Sequence, residues 1–109
     1  MQNKRRRELA EKIAKIADDY KKVSTNTRLC GRNANECEEL RRFKTKTEKY
    51  SLALTSAALK IAEADTPLTA PELRAERYLN NIFAENYTVM IYDGEIGDKL
   101  AYILGAAVM

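Results

Sequence analysis

The side chains with the most chemical reach in this 109-residue sequence are cationic. Lys4, Arg5, Arg6 and Arg7 open a basic stretch, Arg28 and Arg32 follow, and Arg41, Arg42, Lys44, Lys46 and Lys49 crowd together further on. Residues 1–50 carry 15 Lys and Arg against 8 Asp and Glu, and residues 51–109 carry 4 against 8, so halves of +7 and −4 sum to the net +3. Guanidinium and ammonium groups at this density suit phosphates or an acidic protein surface. Arg5, Arg6, Arg7, Arg28, Arg32, Arg41, Arg42, Lys44 and Lys46 therefore form the candidate binding surface. After Arg41 and Lys44 the next position on that helix face is Glu48, which interrupts the stripe. The interruption favours a solvated, partly self-paired face over a continuous phosphate track.

Other chemistry has little material to work with. The chain has no His, which removes the usual general base, any Ser-His-Asp or Cys-His arrangement and the commonest metal ligand. Cys30 and Cys37 would need two further ligands to hold zinc, so they read as small apolar fillers where two helices connect, with a disulfide the lesser option. Asp93, Glu95 and Asp98 group carboxylates around Gly94 and Gly97, but lack the alternating acids and closing Glu of a calcium loop. The segment reads as a solvated acidic turn or a partner epitope. The glycines match neither the P-loop nor the dinucleotide spacing, and no nucleic-acid signature is present. No metal, cofactor or catalytic residue is expected.

Helices must position these groups. Leu9, Ile13, Ile16, Tyr20 and Val23 recur at steps of four, three, four and three, the period of a helix that packs lengthwise on another, which predicts helix one over about residues 5–23. A polar segment rich in turn formers follows, with Asn35 as N-cap and Glu36, Glu38 and Glu39 in the first turn of helix two. Leu40, Phe43, Thr47, Tyr50, Leu54, Ala57 and Ile61 continue the three-four spacing. An antiparallel hairpin of short helix one and long helix two would place Tyr20 near Leu40, Ile16 near Phe43, Ile13 near Thr47 and Leu9 near Tyr50. In that register Asp18 and Asp19 lie level with Arg41 and Arg42. Leu52 and Leu59 sit opposite the main stripe, so residues 50–62 should be covered on both sides, by C-terminal material or by a second subunit.

Thr66-Pro67 breaks the chain, and Thr69-Ala70-Pro71-Glu72 has the capping-box pattern of a helix start. Helix three should run to about Glu85, with Leu73, Ala75, Leu79, Ile82 and Phe83 inward and Tyr78 at the margin. Tyr87 to Tyr92 is rich in aromatic and β-branched residues and reads as a short strand. Asp98 would cap a final helix on which Leu100, Ile103, Leu104, Ala107 and Val108 share a face.

The expected fold is one mainly helical domain over residues 1–109: the hairpin, a third helix, and a short C-terminal strand and helix. The longest uncharged runs, 50–59 and 100–109, fall short of the roughly 20 residues of a membrane span. No apolar stretch of signal-peptide type follows the first basic cluster, so the expected compartment is the cytoplasm, with reduced thiols. By elimination the sequence reads as a non-catalytic protein that docks a charged helical surface onto a larger protein or nucleoprotein complex, as adaptors and inhibitors do. Short accessory proteins of phages and other mobile elements share this type without a matched motif. A nucleic-acid-binding regulator is the alternative, and surplus apolar surface predicts a homodimer.

Overall fold

The computed structural model describes residues 4–27, 34–82 and 87–105. Five helices account for most of them: α1 (Lys4–Asn26), α2 (Ala34–Glu63), α3 (Ala70–Ile82), α4 (Tyr87–Tyr92) and α5 (Glu95–Leu104). The body is elongated, 55 × 26 × 19 Å, because α2 alone is about 45 Å long at the helical rise. Among the described residues no helix is long and apolar enough to cross a membrane.

The heptad stripe of α1 goes where its spacing directs it. Leu9, Ile13, Ile16 and Tyr20 are buried against Tyr50, Leu54, Ala58 and Ile61 of α2. The two helices run in opposite directions, since Arg6 Nη1 donates to the Ile61 carbonyl (3.2 Å) and Ser24 Oγ donates to the Lys44 carbonyl (3.2 Å). The register differs from the expected one by a heptad or more. Tyr20 lies on Tyr50, with ring centroids 5.0 Å apart, and not on Leu40. A pattern that repeats every seven residues is satisfied equally well by a slip of one repeat, so apolar matching alone cannot choose between the two registers. The expected charge pairing fails with it. Asp18 pairs with Lys22, Asp19 with Lys15, and Arg42 with Glu38, each within one helix.

Polar side chains fix the register. Arg6 is 2 % exposed. It donates to the carbonyls of Ile61, Thr66 and Pro67, to Thr66 Oγ1 (3.0 Å), and to both carboxylate oxygens of Glu72 (2.8 and 2.9 Å). The end of α2, the turn after it and the start of α3 are thereby tied to the first turns of α1. Glu72 also closes the capping box: its Oε1 accepts from the Thr69 N–H (2.8 Å), and its own N–H donates to Thr69 Oγ1 (3.4 Å). Burial disfavours the Glu72 carboxylate, but the Thr69 N–H, the Arg6 guanidinium and the Thr69 hydroxyl outweigh it and hold its carboxyl below the ordinary range. From there α3 follows α1 in the same sense, with Arg5 bridging Glu76 and Lys12 Nζ donating to Asn80 (3.0 Å). Ala75, Leu79 and Ile82 are buried as expected, and Leu73 and Tyr78 are half-buried. Phe83 lies outside the described residues.

The segment 87–92 is helix, not strand. In a strand its residues would alternate between faces, whereas here Tyr87, Met90 and Ile91 turn inward and Thr88, Val89 and Tyr92 outward, the i, i+3, i+4 pattern of a helix. Among the described residues no strand is available to pair with it, while α1 and α5 both contact α4 and give it a surface to pack on. Tertiary packing overrides β-propensity here. α5 also begins earlier than expected. Gly94 in the left-handed region (φ 77°) stands at its N-cap, Asp98 lies inside its first turns, and Gly105 (φ 68°) ends it. Its Ile96, Gly97, Leu100 and Ala101 are buried against α2, α3 and α4; Ala107 and Val108 lie outside the described residues.

α5 passes close to Tyr50 at Gly97, where an added Cβ would stand 2.6–2.7 Å from the ring carbons. Helix propensity would favour Ala over Gly by about 1 kcal/mol, but overpacking of this kind costs about 1–3 kcal/mol. Gly97→Ala is therefore expected to lower stability in a urea titration, and a gain would contradict the close approach. Arg6→Ala should cost more, about 3–5 kcal/mol, because it strands Glu72 and three carbonyls. An unchanged urea midpoint for that variant would show the clamp to be dispensable.

Candidate binding surface

The expected basic surface divides in two. Arg6 leaves it altogether, buried among the groups just described; its side chain has enough hydrogen-bond acceptors around it to make burial of the charge tolerable. Arg5, although exposed, is held by the Glu76 carboxylate, which that bond and charge pull below its usual range. Lys44 is half-buried and donates to the Ser24 carbonyl near the end of α1 (2.6 Å). Arg7 is exposed. Arg28 and Arg32 lie outside the described residues, as does Cys30; Cys37 is half-buried on α2.

The remaining cations converge. Arg41, Arg42, Lys46 and Lys49 line a pocket of about 450 Å³ together with Thr45, Tyr50 and Asp98. Arg42, Lys46 and Lys49 stand at i, i+4 and i+7 and so share one face of α2. That stripe is legible in the sequence. The Arg41, Lys44, Glu48 row does not carry it, since Glu48 belongs to a different side of the helix. Lys46 Nζ sits 5.6 Å from the centre of the Tyr50 ring, within cation–π reach. Arg42 is shared with Glu38 (2.9 Å), an exposed intrahelical pair of small energetic weight.

The acidic residues 93–98 do not act as one turn. Asp93, Glu95 and Asp98 are all exposed, and Asp98 also accepts a hydrogen bond from the Tyr50 hydroxyl and lies at the edge of the basic pocket. Among the described residues no group of three or more Cys, Asp or Glu side chains could hold a metal ion. Tyr20 accepts from the Gly97 N–H (2.9 Å), so both stacked tyrosines are tied to α5. Burial, then the bond to Asp98 and its charge, push the Tyr50 hydroxyl well above its ordinary value, and burial does the same to Tyr20. The pocket thus sets four cations around a neutral phenol whose hydroxyl is held by the one carboxylate at its edge, a net positive lining that can attract an anionic group.

Leu52 and Leu59 are 67 % and 58 % exposed, so the expected cover of C-terminal material on that flank of α2 is absent among the described residues. α5 packs on the side of α2 that buries Tyr50 and Leu54, and the start of α3 and the end of α5 reach the Leu52 flank only at its rim. A groove of about 620 Å³ lies there, lined by Lys49, Leu52, Ser56 and Lys60 of α2, by Pro71 of α3 and by Leu104 of α5. No family model, no curated protein and no solved structure matches this chain.

The tyrosine shifts carry a pH dependence. A group whose folded pKa is raised adds stability below its unfolded value, and that stability is lost as pH climbs past it. The urea midpoint should therefore fall once pH exceeds about 10, the ordinary tyrosine value. Tyr50→Phe has no proton to lose at that position and should show a smaller fall between pH 9 and pH 11; an identical fall would mean that Tyr50 contributes nothing to it.

Proposed function

We propose that this chain is a non-catalytic binding protein that docks its charged helical surface onto a larger protein or nucleoprotein complex. The observation that supports this reading is the convergence of Arg41, Arg42, Lys46 and Lys49 on one pocket, while Arg5, Arg6 and Lys44 are engaged within the fold. Cations held on one rigid helix steer an acidic partner and fix its orientation more than they add raw affinity. An adaptor or inhibitor, of the kind that phages and other mobile elements encode, fits this description, and its working place would be the cytoplasm.

Arg42→Glu/Lys46→Glu tests the proposal. Both positions are exposed, so the helical circular dichroism should be unchanged. The native chain is expected to capture a defined partner from the cells that produce it, and the double variant to lose that partner. Equal capture by both would refute a role for this pocket.

The same pocket supports a second reading, contact with DNA or RNA phosphates. If each of the four cations meets one phosphate, log K should fall with log salt at a slope of about −3 to −4. The double variant should flatten that slope. Absence of binding at low salt would leave the protein partner alone.

A further inference from the structure

We infer that the open face of α2 is the seat of a second copy of this chain, packed antiparallel with Ser56 at the two-fold axis. The face is disposed nearly symmetrically about Ser56. Four residues before it stands Leu52 and three after it Leu59, the two large exposed apolar side chains of this helix. Seven before it stands Lys49 and seven after it Glu63, and among the described residues neither has an ion-pair partner. Steps of three, four and seven keep all five positions on one side of the helix.

Turning a second α2 about Ser56 brings Lys49 of each copy level with Glu63 of the other. It brings Leu52 level with Lys60, one position from Leu59, so that the Lys60 stem lies along the leucine pair with its ammonium outward. Such an interface is isologous and closes on itself. Ala53, Ser56 and Ala57, small residues that line the groove, let a second helix approach between Leu52 and the rim formed by Pro71 and Leu104. Reversal is essential: a parallel pair would set Lys49 against Lys49 and Glu63 against Glu63. A nucleic-acid partner would find no use for the two leucines, which phosphates cannot cover.

The arrangement goes beyond the functional reading above and does not depend on it. Arg41, Arg42 and Lys46 lie past the overlap, because the second α2 ends at Glu63, level with Lys49. Lys49, at the rim of the basic pocket, is the one cation the two surfaces share, and the dimer leaves the other three to the pocket. The dimer would carry its basic pockets at opposite ends, with the two Arg42 positions about 42 Å apart along the shared axis.

Sedimentation equilibrium of the full chain at micromolar concentrations tests the inference. The expected mass is twice 12.4 kDa. Leu52→Glu/Leu59→Glu should sediment as a single chain with unchanged helical circular dichroism. Lys49→Glu and Glu63→Lys should each weaken the dimer about tenfold, equivalent to about 1.4 kcal/mol, and the two together should restore it. A single-chain mass for the native protein at every concentration overturns the proposal. So does a dimer insensitive to these substitutions, which would place the contact on another face, and so does a double exchange that fails to restore association. Partner capture through Arg42 and Lys46 is read separately, so either proposal can fail alone.

Discussion

Arg6 places a full positive charge where a helix end, a turn and a helix start meet, and the surrounding chain is arranged to receive it. Removing such a charge from water costs several kcal/mol, and the cost is offset only if every donor finds a geometrically good acceptor. Here the acceptors come from widely separated parts of the sequence: the Ile61, Thr66 and Pro67 carbonyls, the Thr66 hydroxyl and the Glu72 carboxylate. An apolar side chain could fill the same volume, but it would leave those carbonyls without a donor. The heptad stripes of α1 and α2 permit more than one alignment. The guanidinium admits one, and α3 is placed by the same bonds.

The sequence reveals the helices better than their neighbours. Leu9, Ile13, Ile16 and Tyr20 show their burial through spacing alone, and Thr69 with Glu72 announces the start of α3 by its local hydrogen-bond chemistry. Local signals end there. Arg6 stands three before Leu9 and seven before Ile13, on the buried stripe that Arg5 and Arg7 miss, but nothing local names its partners, which lie some 55 to 66 positions away. The segment 87–92 misleads for a related reason. Its aromatic and β-branched residues favour an extended chain, but the surfaces of α1 and α5 that it meets reward a helical turn. The basic pocket is half legible: its stripe at Arg42, Lys46 and Lys49, with Tyr50 one turn after Lys46, can be read from spacing, while Asp98 joins it only through the docking of α5.

Tyrosine hydroxyls recur as the second kind of polar fastening. Tyr20 and Tyr50 meet α5, and Tyr87 of α4 donates to Asp19 of α1 while Lys15 lies 4.8 Å above its ring. In each case an aromatic body fills core or boundary space and a hydroxyl selects one neighbour. In a chain of this size, where the core is modest, directional bonds of this kind narrow the set of packings that apolar burial would tolerate. They also free much of the outer side of α2 from any structural duty.

Glu72 serves two masters at once. One of its oxygens caps its own helix through Thr69 and also receives the distant guanidinium, so neither bond is made to a carboxylate that the other has not helped to orient. The first turn of α3 therefore does not form an autonomous foldon. Its amide protons should be guarded to the same depth as those of the opening turns of α1, and fraying at either end would be felt at once at the other.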